Sequence, residues 1–234
     1  MRVVEVVSPV FAARCCVVVA DNGSCVVVDA GAGVAEHVAR LVRSEGLHPQ
    51  AVLATHGHAD HVWDAGRLAR ELDVPVRLHA RDRYRLEDPF GTLGLGAASH
   101  DPAGPLGQAL RAAGVDVGGY EPPARVETFG HDEADRRSDD VLELGGLRVV
   151  ARHAPGHTQG STVYVVEDVA FTGDVLFAGT IGRTDLPGGD GEVMARTLRE
   201  VVATLDPATL VVPGHGPTSD MATELATNPF LARR

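Results

Sequence analysis

Two kinds of hydrophobic pattern divide this chain. In one, consecutive positions are apolar. In the other, apolar residues return every three or four. "RVVEVV" (2–7) is a first short apolar run, and "CCVVVA" (15–20) and "CVVVDA" (25–30) flank the polar spacer "DNGS". Asn22-Gly23 in that spacer supplies the positive φ values of a tight hairpin turn. Neither flanking strand alternates polar with apolar, so both faces should be covered, by helices or by another sheet. In "GAGVAEHVARLVRSEG" (31–46), Val34, Val38, Leu41 and Val42 recur at helical spacing, and Gly46 stands where a helix would stop. "AVLA" (51–54) is the next strand, "HVWDAGRLAREL" (61–72) a helix, and "VPVRLHA" (74–80) another strand.

Residues 82–138 break the pattern. They are rich in Gly, Pro, Asp and Arg, and only "PLGQALRAAG" (105–114) has helical spacing, so the segment reads as a long, partly irregular insertion. Its end, "HDEADRRSDD", reads as a solvated tip. From Val141 the strand pattern returns. "VLEL" and "LRVVARHA" form a hairpin around Gly145-Gly146, and "STVYVV" and "VAFTGD" form one around Glu167-Asp168. "GDGEVMARTLREVVATL" is an amphipathic helix with Met194, Leu198, Val201, Val202 and Leu205 on one stripe. "TLVVPGHG" is a last strand, and "SDMATELATNPFL" a short helix or turn. The halves on either side of the insertion are similar β-rich units. Two packed sheets with helices outside would cover their doubly apolar strands, giving a single domain over residues 1–234.

Length and composition add limits. A chain of 234 residues can bury roughly 70% of its unfolded surface without disulfide staples. Aromatic residues make up 4%, so the core must come from Val, Leu and Ala. A net charge of −11 repels phosphate backbones and argues against a nucleic-acid partner. All 21 basic side chains are Arg, so any anion must be held by Arg, His or backbone. Cys15, Cys16 and Cys25 make no framework, and Cys15 and Cys16, adjacent on a strand, must face opposite ways as buried thiols. There is no secretory h-region and no apolar run near the ~20 residues that span a bilayer, so the expectation is a cytoplasmic protein with no membrane partner.

The candidate chemistry lies at strand ends. "THGHADH" (55–61) follows "AVLA"; "APGHTQGS" presents His157, "FTGDVLF" presents Asp174, and "VVPGHG" presents His215. Each has Gly or Pro beside the polar residue, letting the backbone turn sharply and approach its neighbours. His56, His58, Asp60, His61, His157, Asp174 and His215 make a mixed imidazole–carboxylate set, as in open catalytic metal sites. His56 and His58, two apart on extended backbone, can grasp one ion, and Asp60 and His61 can face a second. Of the other histidines, His37 and His48 read as surface residues, His79 and His153 as packed strand residues, and His100 and His131 as solvated loop residues. Trp63 reads as the core anchor of its helix.

"THGHADH" with "PGHTQGS", "GDVLF" and "PGHG" resembles the metallo-β-lactamase superfamily in its glyoxalase II-like branch, as do "IGRTDLPGGD" and "NPFL". The resemblance implies an α/β fold, an αββα four-layer sandwich of two mixed sheets with helices outside. It implies two divalent ions, zinc first, with iron or manganese as alternatives. His56, His58 and His157 would hold one, Asp60, His61 and His215 the other, and Asp174 would bridge them. The implied activity is attack of a metal-activated hydroxide on a hydroxyacyl thioester or related ester of a small thiol conjugate, with Asp60 passing a proton to the leaving group. Asp29 looks like an aspartate that orients a ligand loop, with Thr55 as a candidate for the same task, against a plain turn residue and a β-favouring one. Arg183 in "IGRTD" either anchors an anionic part of the substrate or pairs with Asp185. Glyoxalase II enzymes carry a further helical domain whose basic residues, Lys included, bind glutathione. Little chain follows His215 here and Lys is absent, so another small thiol fits equally well. The alternatives are a persulfide dioxygenase with one iron on His56, His157 and Asp174, a lactonase or other ester hydrolase, and a nuclease of the same superfamily.

Overall fold

The computed structural model describes residues 1–93, 103–130 and 139–231. Six strands form the first sheet in sequential order: β1 (Arg2–Val7), β2 (Arg14–Val19), β3 (Ser24–Val28), β4 (His48–Leu53), β5 (Val76–His79) and β6 (Val126–Phe129). β1 to β3 are antiparallel neighbours, and β3 to β6 run parallel. The second half supplies β7 (Asp139–Leu144), β8 (Leu147–His153), β9 (Thr162–Val166), β10 (Val169–Gly173), a small ribbon of β11 (Leu176–Phe177) and β12 (Thr180–Ile181), then β13 (Leu210–Pro213) and β14 (Ser219–Asp220). The second sheet has the order β14-β13-β10-β9-β8-β7, with β10 and β13 parallel and the other pairs antiparallel. Both sheets are mixed, as expected.

The doubly apolar strands are explained by two cores meeting on one backbone. In β2, Cys15, Val17 and Val19 pack toward α1 (Ala35–Ser44) and α3 (Ala65–Leu72), while Cys16 and Val18 point into the layer between the sheets. There they meet Val149, Tyr164, Phe171 and Val212 of the second sheet. Beyond that sheet, Val163, Ala170 and Val211 pack with Met194 and Leu198 of α5 (Gly191–Glu200) and Met221 of α6 (Met221–Thr227). The layers are therefore helix, sheet, sheet, helix, an α/β sandwich with the predicted αββα order. All three cysteines are free and buried, with Cys15 and Cys16 on opposite faces.

Local details differ from the sequence reading in instructive ways. At the β2–β3 turn only Gly23 has positive φ (82°). The Gly23 N–H donates to the Ala20 carbonyl at 3.0 Å, and the Asn22 side chain accepts from the Ser24 N–H, so Asn22 acts through its side chain and not through a left-handed backbone. The helix expected over 61–72 is two helices, α2 (Ala59–Val62) and α3, because Ala30 inserts between them: its N–H donates to the His61 carbonyl and its carbonyl accepts from the Asp64 N–H. The 82–138 segment is more regular than expected. It carries α4 (Pro105–Ala112), where the spacing put it, and also β6, which the sequence reading missed and which extends the first sheet. Val10, Trp63, Phe90, Leu106 and Leu110 form a satellite core that binds this segment to α2 and the β1–β2 loop, so Trp63 is an anchor as predicted. The tip at 131–138, with His131, and residue His100 lie outside the described residues.

Candidate metal centre

The loops after β3, β4, β8, β10 and β13 gather at one edge of the sandwich, and they carry the sequence-predicted side chains. Asp29 ends β3 with φ 56°, a left-handed conformation uncommon for a non-glycine residue. Its carboxylate accepts from the Thr55 N–H at 2.7 Å, the Thr55 hydroxyl at 2.8 Å and His61 Nδ1 at 2.8 Å. Since the Thr55 hydroxyl proton goes to Asp29, its oxygen is left to accept from His56 Nδ1 at 3.1 Å. His157 Nδ1 donates to the Arg183 carbonyl (2.7 Å), and His215 Nδ1 to the Phe11 carbonyl (3.0 Å). In their neutral form, with the proton on Nδ1, His56, His61, His157 and His215 turn a lone pair on Nε2 inward.

These lone pairs converge in two places. His58 Nδ1 lies 3.1 Å from His56 Nε2 and 2.8 Å from His157 Nε2. His61 Nε2 lies 3.2 Å from His215 Nε2, and His215 Nε2 is 3.3 Å from an Asp60 oxygen. Asp174 stands between the two groups, with Oδ1 3.3 Å from His61 Nε2 and Oδ2 3.6 Å from both His157 Nε2 and His215 Nε2. Donor atoms of His56/His58/His157, of His56/His61/Asp174 and of Asp60/His61/His215 each lie within 4.8 Å of one another. Asp174 Oδ1 is buried without a hydrogen-bond donor. Facing lone pairs and an orphaned carboxylate oxygen repel one another unless a proton or a metal cation lies between them, so the donor set fits divalent metal ions.

Electrostatics point the same way. Burial, reinforced by neighbouring imidazoles, holds His56 and His58 well below the usual imidazole pKa, so both are neutral and able to ligate at pH 7. Burial alone would push Asp60 and Asp174 up, but His61 and its imidazole neighbours outweigh it and hold both carboxyls below the usual range. In His61 burial opposes the charge, yet Asp174, Asp60 and Asp29 together raise it well above its ordinary value, so the carboxylates draw positive charge to Nε2, a proton there being one that a bound ion would displace.

A cavity of 590 Å³ opens over the cluster, touching His58, Asp60, His157, Asp174 and His215 and walled by Phe11, Leu106, Phe177 and Leu186. A second cavity, of 680 Å³, borders Gly156, Thr158 and Asp190 and is lined by none of the seven residues. Arg183 reaches the rim of the first, but its guanidinium is paired with both oxygens of Asp185 at 2.7 and 2.6 Å. Of its two expected roles, pairing is the one observed; its carbonyl, on His157, is the part that touches the cluster. His37 and His48 are exposed, and His79 and His153 stack at 3.9 Å with planes 10° apart and belong to none of the three donor groups. Sequence reasoning missed Asp82 and Arg85, fully buried behind the loops that carry His56–His58 and His157, and the carbonyl of Phe11. Asp82 and Arg85 sit in a segment without periodicity, and only burial distinguishes them from surface charges.

Residues 12–215 match the metallo-beta-lactamase superfamily domain, a span that contains all seven cluster residues, and the chain belongs to that superfamily. It is thus a member of a group of metal-dependent hydrolases, with a His/Asp cluster of the metal-binding kind. An uncharacterized protein of Mycobacterium tuberculosis is 37% identical over 231 residues, covering 94% of this chain and 93% of the relative. The hydroxyacylglutathione hydrolase GloC of Haemophilus influenzae is 29% identical over 224 residues, covering 94% and 93%. Among solved structures, a di-iron-bound form of TTHA1623 is 31% identical with a TM-score of 0.73, covering 97% of this chain and 100% of that one.

Proposed function

We propose that the protein is a binuclear metal-dependent hydrolase of the glyoxalase II-like type, cleaving a hydroxyacyl thioester or a related ester of a small thiol conjugate. The observation that carries this reading is Asp174, a carboxylate between two triads of convergent donors beneath an apolar-walled cavity. His56, His58 and His157 would hold one ion and Asp60, His61 and His215 the other, with Asp174 shared. Bound there, divalent ions supply Lewis acidity and a water made nucleophilic at neutral pH. The chain does the rest. Asp29 and the Arg183 and Phe11 carbonyls fix the imidazole tautomers. Phe11, Leu106, Phe177 and Leu186 exclude water from the acyl group. Asp60, held ionised and bordering the cavity, takes up the proton that the attacking water gives up and passes it to the leaving sulfur or oxygen. The name of the Haemophilus influenzae relative supports a thioester substrate, and the di-iron form of TTHA1623 keeps iron beside zinc as the resident metal. Free buried thiols support a reducing, cytoplasmic setting, and among the described residues no helix is long and apolar enough to cross a membrane.

The test is metal content of the purified protein together with a panel of S-lactoyl thioesters, lactones and persulfides. The expected result is two ions per chain and thioester hydrolysis abolished by chelation. One iron per chain with oxygen consumed on a persulfide would replace this reading with the dioxygenase. Turnover of lactones alone would move it to a lactonase.

A further inference from the structure

Directly after β5 the chain makes a 3-10 turn, Ala80–Leu86, that places two charged side chains, Asp82 and Arg85, entirely out of solvent. Burying a charge pair is expensive, and the cost is offset only when hydrogen bonds satisfy what the pair itself leaves open. For Asp82 those bonds come from two distant loops. Oδ2 accepts from the Gly57 N–H at 2.9 Å and the Thr158 hydroxyl at 2.7 Å, and Oδ1 accepts from the Gly160 N–H at 2.8 Å. Gly57 stands between His56 and His58, and Thr158 follows His157. A single carboxylate therefore takes hydrogens from both loops whose imidazoles converge on His58 Nδ1.

Arg85 completes the arrangement. Its Nε lies 3.4 Å from Asp82 Oδ1, and its two terminal nitrogens donate to the carbonyls of Thr92 (3.1 Å) and Pro187 (2.6 Å). The pair also accounts for two glycines of the ligand motifs. A Cβ on Gly57 would lie 2.6 Å from the Arg85 Cβ, and one on Gly160 would lie 2.7 Å from the Asp82 Cβ. Both loops lie directly against the pair.

We propose that Asp82 is the positioning residue of the His56/His58/His157 triad, setting the distance between its two loops, with Arg85 as the buried counter-charge. The proposal rests on the reading of that triad as a metal site. It assigns Asp82 to one triad only: its hydrogen bonds reach the loops of His56–His58 and His157, while His61 is held by Asp29.

The experiment is titration of the metal-free protein with cadmium-113, followed by NMR and by competition with a chelator. A three-imidazole site and an imidazole–carboxylate site give separate resonances, and His58→Gln identifies the former by its loss. Asn at position 82 keeps one acceptor oxygen and turns an N–H₂ group toward a donor. Asp82→Asn is therefore expected to weaken binding at the three-imidazole resonance about 10- to 100-fold, the range for partners that orient ligands, and to leave the other resonance in place. Equal weakening of both resonances, or of neither, overturns the proposal. If Asp82→Asn does not fold by circular dichroism, Thr158→Val removes one of the three hydrogen bonds and leaves the charge pair. A smaller loss at the same resonance is expected, and unchanged binding overturns the proposal. Wild-type protein that binds no cadmium would sink the metal-site reading and this proposal with it; wild-type binding with an unaffected Asp82→Asn sinks the positioning role alone.

Discussion

Asp174 is the side chain whose removal should separate the site from the fold. It lies at the end of β10, where the Gly173 backbone (φ 48°) turns it inward, and its contacts are to imidazoles of both triads and not to the cores. Asp174→Ala is expected to bind less than one zinc per chain and to lose nearly all turnover while keeping a wild-type circular dichroism spectrum. Two ions per chain with normal turnover would show the seven residues to be wrongly assigned. The cysteines give a residue-scale prediction of the opposite kind. Burial pushes the Cys25 thiol up to about 11 and raises Cys15 and Cys16 as well, so almost no thiolate exists near neutral pH. Native protein at pH 8 should react with none of its three thiols over minutes of exposure to a chromogenic disulfide reagent, and with all three after unfolding in guanidinium. Fast labelling of the native protein would contradict the burial. At this scale the convergence of the seven side chains was legible in the sequence, because imidazole and carboxylate at strand ends are a matter of residue type, and a strand pair such as Cys15-Cys16 obeys a period of two. Arg183 was not decidable, since a rim cation and an i,i+2 ion pair look the same in one dimension.

Elements explain where the reading failed. Apolar strands were found because burial on two faces leaves consecutive Val residues, and α1 because its stripe ends on Gly46. There Gly46 donates to the Arg43 carbonyl and Leu47 to the Val42 carbonyl, the bond pattern that a left-handed glycine permits. The "VETF" strand was invisible because four residues beside Pro122 and Pro123 carry no period, and only the parallel neighbour β5 makes them β. The break between α2 and α3 was invisible for the same reason, being set by Ala30, more than thirty residues away. That break frees Asp64 to do a task a continuous helix would forbid. Val34, the residue before α1, offers no side-chain cap, and the Asp64 carboxylate accepts from the Ala35 N–H at 2.8 Å in its place. Asp64→Ala should therefore destabilise the protein by about 1–2 kcal/mol, the usual worth of a helix cap, in urea unfolding curves of unchanged slope. A loss within ~0.3 kcal/mol would mean that the borrowed cap contributes little.

At the scale of the molecule, neither half owns the site. The first sheet delivers His56, His58, Asp60 and His61, and the second delivers His157, Asp174 and His215. The protein joins the halves just there with its own hydrogen bonds. Tyr164 donates to the Ala54 carbonyl at 2.9 Å, the Thr162 N–H to the Thr55 carbonyl at 2.8 Å, and Arg14 to the Pro213 carbonyl at 2.7 Å through its guanidinium and to Gly214 through its backbone. Ions held by ligands from both sheets would add to that seam, and the unfolded chain, in which His56 and His215 are far apart, would hold them poorly. Binding to the folded state alone at a hundredfold excess over the dissociation constant is worth about 2.7 kcal/mol per ion. In a chain of this length each kcal/mol moves the melting temperature by about 2–4 °C. Stripping the protein with a chelator and dialysing the chelator away should therefore lower the melting temperature by about 5–10 °C for each ion removed, with one cooperative transition before and after. Returning zinc in slight excess should restore it, and magnesium at the same concentration should not, because a site with five imidazoles offers few of the oxygen ligands that magnesium prefers. A melting temperature indifferent to both chelation and zinc would mean that the convergent lone pairs at the seam do not hold an ion.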